Sequence, residues 1–128
     1  MNILLDTCSV LWYFNGNDEM PLSTREAILN ADNFIFVSIA SVWEVAIKIS
    51  IGKLCFDGGI DRFIEAIKDE GFGLLEINPR HIKLLINLPF IHRDPFDRML
   101  IAQATIEKLH IMTTDSEISK YNVNTIWQ

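Results

Sequence analysis

Basic residues are scarce in this chain. Eleven Lys and Arg stand against seventeen Asp and Glu, for a formal net charge of −6. That balance argues against a general nucleic-acid-binding module, which normally shows an excess of Lys and Arg. It leaves room for an enzyme that acts on nucleic acid through an acidic site neutralised by bound cations. Cysteine is nearly missing: Cys8 and Cys55 are the only two. Their spacing matches neither a metal motif nor a redox pair, and their apolar flanks read as reduced thiols in a cytoplasmic protein. No apolar run approaches the roughly 18 residues of a membrane helix, and no charged-then-apolar leader opens the chain. No membrane segment is therefore expected. Internal repeats, low-complexity stretches and linkers are also missing. What is present is a chain of 128 residues, 49% hydrophobic and 22% charged. It should form one globular domain over 1–128 and bury about two thirds of its unfolded surface without metal or disulfide.

Apolar strand-like runs alternate with amphipathic stretches. Ile3-Leu4-Leu5 reads as a buried strand ending at Asp6. A short helix follows over 7–15, broken at Gly16. Ser23 caps a second helix, with Glu26 completing a capping box. Phe34–Val37 is the strongest strand signal. A third helix starts from Ser38 or Ser41 and runs to about Ile51, closed by Gly52. The spacing of Ile60, Phe63, Ile64 and Ile67 predicts a helix over 60–69. Leu74–Ile77 reads as a strand, and Asn78-Pro79 opens the next helix. Asp94 caps a further helix with Pro95 in its first turn, lasting to about Leu109. Strands at 111–114 and 124–127 flank a helical turn at 116–121. Trp12, Trp43, Phe34 and Phe36 read as core, while Trp127 is either core or partner surface. The alternation predicts a three-layer α/β/α domain with a mainly parallel central sheet. Ligands in such folds gather at the carboxyl edge of the strands.

Four acids point to that edge. Asp6 and Asp115 end strands, Asp97 begins a helix, and Glu44 lies near the start of an apolar one. Asp97 shares a helical face with Leu100, Ile101 and Ala104. Clustered carboxylates repel: two charges 4 Å apart cost about 4 kcal/mol at an effective dielectric near 20. Either pKa values rise or a cation binds. Carboxylate oxygens without Cys or His suit Mg²⁺ or Mn²⁺. Each acid also has a plainer role: Asp6 and Asp115 as helix caps, Asp97 as a residue favoured by the helix dipole, Glu44 as the partner of Lys48. Asp94 reads as a cap before a ligand. Arg93 and Arg98 are candidates for phosphate contacts, or else pair with Asp94 and Asp97. Thr7, Ser9 and Ser116 either hydrogen-bond ligand waters or cap helices. His92 has no second histidine at ligand spacing and reads as structural. His81 and His110 read as ordinary.

The blocks Leu4-Leu5-Asp6-Thr7, Ser41-Val42-Trp43-Glu44, Asp94-Pro95-Phe96-Asp97-Arg98 with Leu100-Ile101-Ala102-Gln103-Ala104, and Thr113-Thr114-Asp115 together resemble PIN-domain ribonucleases, most closely the VapC-like toxins of type II toxin–antitoxin pairs. The resemblance spans nearly the whole chain, in order. It implies a Mg²⁺- or Mn²⁺-dependent endoribonuclease that hydrolyses RNA with a metal-activated water. Asp6 and Asp97 would be the main metal ligands, with Glu44 and Asp115 completing the site directly or through water. It further implies a cognate antitoxin as partner and a homodimer. Cys8 departs from the polar or aromatic residue common after the Asp-Thr pair. Two other readings compete. A haloacid-dehalogenase-like phosphatase or phosphoryl-accepting regulator would use a strand-end Asp, but such phosphatases want a second Asp where Cys8 stands. The other is a non-catalytic PIN-fold binding module.

Overall fold

The structure, a computed structural model, describes residues 1–127. Among them the strands β1 (Asn2–Leu5), β2 (Phe34–Ser38), β3 (Gly73–Leu75), β4 (His110–Met112) and β5 (Thr125–Ile126) form one sheet in the order β3-β2-β1-β4-β5. Every pairing is parallel. The helices are α1 (Thr7–Asn15), α2 (Leu22–Leu29), α3 (Ile39–Ser50), α4 (Gly59–Asp69), α5 (Pro79–Asn87), α6 (Pro95–Glu107) and the single turn α7 (Ser116–Ser119). The expected α/β/α layering with a parallel sheet is the fold observed.

Parallel strands covered on both faces need apolar side chains pointing both ways. Ile3, Leu4 and Leu5 of β1 meet this need with no exposure. Ile3 and Leu5 join Val10, Ile28, Val45, Phe63 and Ile67 from α1 to α4 on one side. Leu4 and Ile111 join Leu100, Ile101 and Ala104 of α6 and Ile118 of α7 on the other. Gln103 is also fully buried, but satisfied: its Oε1 accepts from Ser38 Oγ at 2.6 Å and its Nε2 donates to the Glu76 carbonyl at 3.3 Å. These bonds tie α6 to the loop ends beside β2 and β3. Gly73 answers a packing need, since a Cβ there would lie 2.8 Å from the Phe36 ring.

Several local expectations need correction. α2 begins at Leu22 behind Pro21, with no side-chain cap, so Ser23 lies inside the helix. Proline already supplies a fixed φ at that boundary. β3, β4 and β5 are shorter than the apolar runs suggested, because pairing ends where neighbouring strands turn into loops. Phe34 and Trp43 are not core: they are 67% and 59% exposed. Phe34 opens an edge of β2, and Trp43 lies on the outer side of α3, edge-on to Phe96 at 5.3 Å. Trp127 packs edge-on against Trp12 and joins the first core cluster. Both cysteines are free and exposed.

Candidate active site at the carboxyl edge

The register aligns the strand ends. Leu5 lies opposite Val37 on one side and Met112 on the other. The next residues, Asp6, Ser38 and Thr113, therefore stand at one level of the carboxyl edge. Asp6 caps α1, its Oδ1 accepting from Ser9 N at 2.8 Å. Ser38 caps α3 through Ala40 N. Asp115 caps α7 by accepting from Glu117 N at 2.8 Å. Asp94 caps α6, accepting from Phe96 N at 2.8 Å and Asp97 N at 3.2 Å. The plain capping roles therefore hold for Asp6, Asp94 and Asp115, and they aim the remaining carboxylate oxygens rather than consuming them.

Asp6, Glu44, Asp97 and Asp115 line one cavity of about 350 Å³, together with Thr7 and Lys48. Larger or comparable hollows elsewhere, such as the one between α2 and β3 beside Phe34, lack such a set of acids. Glu44 is held at both oxygens: Thr7 Oγ1 donates to Oε1 at 2.7 Å, and Lys48 Nζ pairs with Oε2 at 2.9 Å. Thr7 thus acts on Glu44, and Ser9 donates to the Met112 carbonyl. His92 Nε2 lies 2.9 Å from Asp97 Oδ2 and 2.8 Å from Asp115 Oδ2. From the sequence alone this histidine reads as structural, and its one signal is its place two residues before the Asp94 cap.

Electrostatics mark the cluster as short of positive charge. Burial pushes the Asp6 carboxyl up against the hydrogen bonds of Ser9 and Thr113 that favour its ionised form. Asp97 rises to about 7: burial is the main cause, and Asp94, Asp6 and Glu44 add repulsion that His92 only partly offsets. Burial opposes charge on His92, yet the hydrogen bond to Asp115 and the surrounding carboxylates raise its pKa. The Cys8 thiol beside the cavity, exposed but partly desolvated, is pushed up to about 11 by that desolvation and then by Asp6, so it is no ready nucleophile. A hard divalent cation is the partner that such oxygens lack, and the donor set fits one. His92 Nε2 and one carboxylate oxygen each of Asp97 and Asp115 lie within 4.8 Å of one another.

The two arginines part company. Arg93 is exposed on the loop before α6. Arg98 is 6% exposed and does not face the cavity as a phosphate contact should. Its guanidinium donates to the carbonyls of Pro89 at 2.9 Å, Leu85 at 3.2 Å and Leu88 at 3.3 Å, lies 3.2 Å from Tyr121 Oη, and stacks 4.4 Å above the Phe90 ring. A cation at the carboxyl end of α5 suits the helix dipole. The expectation of an RNA contact at Arg98 is therefore corrected: its planar fork is spent on the backbone. Pairing with Asp94 or Asp97 is not what it does either. The cation that lines the cavity is Lys48, whose pKa is raised chiefly by its bond to Glu44.

Residues 3–124 match the family model of the PIN domain. The chain belongs to the PIN domain family. PIN domains are generally nucleases, and PIN nucleases usually use divalent metals. No curated protein matches the sequence. This PIN domain shares its fold with a chain of VapBC2 from Rickettsia felis bound to a promoter DNA fragment, at TM-score 0.78 and 14% identity over 100% of both chains. A toxin–antitoxin complex from Klebsiella pneumoniae matches at TM-score 0.66 and 17% identity, covering 97% of this chain and 95% of that one. FitAcB from Neisseria gonorrhoeae matches at TM-score 0.65 and 17% identity, covering 97% and 96%. Among the described residues, no helix is long and apolar enough to cross a membrane.

Proposed function

We propose that this PIN domain, spanning 1–128, is a Mg²⁺- or Mn²⁺-dependent endoribonuclease and the toxin of a toxin–antitoxin pair in the cytoplasm. The observation that supports it most is the meeting of Asp6, Glu44, Asp97 and Asp115 around one cavity. Asp6 and Asp97 are the main metal ligands in this reading, and Glu44 and Asp115 complete the site directly or through water. When bound, the ion lowers the pKa of a coordinated water and offsets charge on the attacked phosphodiester. Asp97 would hold the cation as a carboxylate, so below about pH 7 binding would be linked to proton release. Thr7 keeps Glu44 turned toward the cavity. Lys48 and Arg93 are the side chains offered to RNA phosphates. The net acidity of the chain suits a site that relies on the ion more than on a basic surface.

A cognate antitoxin and a second copy of the chain are the proposed protein partners. Support comes from the toxin–antitoxin complexes that share the fold. Exposed apolar side chains such as Trp43, Ile82, Ile86 and Phe90 supply surface that a partner would cover. Family membership separates the chain from the phosphatase and phosphoryl-accepting alternatives.

The test is incubation of purified protein with total RNA in Mg²⁺, in Mn²⁺ or in chelator. Fragments with 5′-phosphate ends are expected in both metal arms, and none in chelator or with Asp6→Asn. RNA left whole in every arm would mean a non-catalytic PIN-fold binding module and overturn the proposal. For the toxin role, expression alone should arrest growth and Asp97→Asn should not. Harmless wild-type expression would reject that part.

A further inference from the structure

We propose that His92 is a positioning residue of the acidic site, whose Nε2–H ties Asp97 to Asp115, and that it is not itself a metal ligand. The inference rests on the nuclease reading above for its consequence, but its geometry stands alone. The ring touches both carboxylates through one nitrogen, at 2.9 and 2.8 Å. Its other nitrogen decides what that nitrogen can be. The backbone N–H of Asp94 donates to Nδ1 at 3.2 Å, so Nδ1 must offer a lone pair. A neutral ring with a bare Nδ1 carries its proton on Nε2. Nε2 is then a donor, shared between two acceptors, and has no lone pair for a cation. Ligation through Nε2 would require the proton to move to Nδ1, against the Asp94 amide.

The frame around the ring holds this arrangement. Tyr121 Oη accepts from the backbone N–H groups of Ile91 at 3.1 Å and His92 at 2.9 Å, and donates to the Pro89 carbonyl at 2.7 Å. Arg98 grips the same segment from within through Pro89, and reaches the His92 carbonyl at 3.5 Å. Asp94, which sets the tautomer, is itself fixed as the α6 cap. The loop therefore presents a donor of fixed direction between two carboxylates that come from different parts of the chain. Without it, Asp97 and Asp115 would repel and turn apart.

The decisive measurement is the long-range ¹H–¹⁵N spectrum of the His92 ring, in metal-free protein and in protein saturated with Mg²⁺. The Nε2–H tautomer is expected in both. A switch to Nδ1–H on adding Mg²⁺ would make His92 a ligand and overturn the inference. Calorimetric titration with Mg²⁺ supplies the second readout. His92→Ala should weaken Mg²⁺ binding about tenfold or more, as removal of outer partners of metal ligands does. His92→Gln, whose amide N–H can reach near the same place, should recover most of that loss. Wild-type Mg²⁺ affinity in His92→Ala would also overturn it. Both readouts are independent of turnover. A protein that binds Mg²⁺ and cleaves no RNA would fail the nuclease reading and leave this inference standing.

Discussion

The starts of α5 and α6 are built from the same parts. Asn78-Pro79 and Asp94-Pro95 each place a capping side chain before a proline in the first turn. Each has a histidine whose Nδ1 accepts a backbone N–H, from Asn78 at 3.1 Å and from Asp94 at 3.2 Å. In each the far nitrogen meets carboxylate. His81, fully buried, reaches Glu107 alone at 3.2 Å. His92 reaches two acids, and these share a cavity with Asp6 and Glu44. One site closes a capping box and joins two helices. The other gathers charge that the protein by itself does not neutralise. Local hydrogen-bond chemistry is therefore a poor guide to function, and the surroundings of the carboxylates separate the two turns.

The largest expected effect comes from removing charge at the second turn. Asp97→Asn should cut RNA hydrolysis by about 10³-fold or more at saturating Mg²⁺, as loss of a group that acts with the metal does. Near-normal cleavage by a folded Asp97→Asn protein would break the contrast between the turns. Next is Arg98→Ala, which should cost about 2–4 kcal/mol in denaturant unfolding, because it removes a buried guanidinium that bridges the carbonyls of Leu85, Leu88 and Pro89. If stability held and only RNA binding weakened, the arginine would be a substrate contact after all.

Acidity gives a third probe. The folded pKa of Asp97, about 7, lies above its unfolded value near 4. The folded state thus holds more proton between these values, and the stability this group contributes is full below about pH 4 and is lost as pH rises through about 7. Metal-free protein should lose about 1–3 kcal/mol over that window relative to Asp97→Asn, read from unfolding midpoints of both. A parallel pair of pH profiles would mean that Asp97 ionises like an ordinary surface acid. The smallest effects belong to the caps. Asn78→Ala should cost about 1 kcal/mol and leave turnover alone. Asp94→Asn keeps a competent cap and should change stability by less than about 0.5 kcal/mol. A collapse of Mg²⁺ binding in Asp94→Asn would show that Asp94 does more than cap.

Much of this was legible from the letters. The apolar run Ile3–Leu5, the Asp-Pro turn and the buried face of Leu100, Ile101 and Ala104 follow from short-range rules of period and capping, which narrowed the start of α3 to Ser38 or Ser41. These depend on neighbours within a turn or a strand, and the sequence states those neighbours outright. That Asp6, Glu44, Asp97 and Asp115 belong together was also within reach, because parallel strands and their following helices must present those positions at one edge. The roles of Arg98 and His92 were not. Both lie within six residues of Asp97 or less, and nothing in their spacing tells which way they face. Arg98 turned inward because Tyr121 and the end of α5, distant in sequence, bring it carbonyl acceptors and an aromatic ring.

The sequence by itself determined which residues make strands and helices, which acids reach the carboxyl edge, and that a single sheet would be buried on both faces. Only the tertiary structure decided how those charges are shared. Burial and opposite-charge contacts act through space over a few ångströms, and the partners of Asp97, Glu44 and Asp115 are supplied by segments that meet only once the sheet and its covering helices have packed.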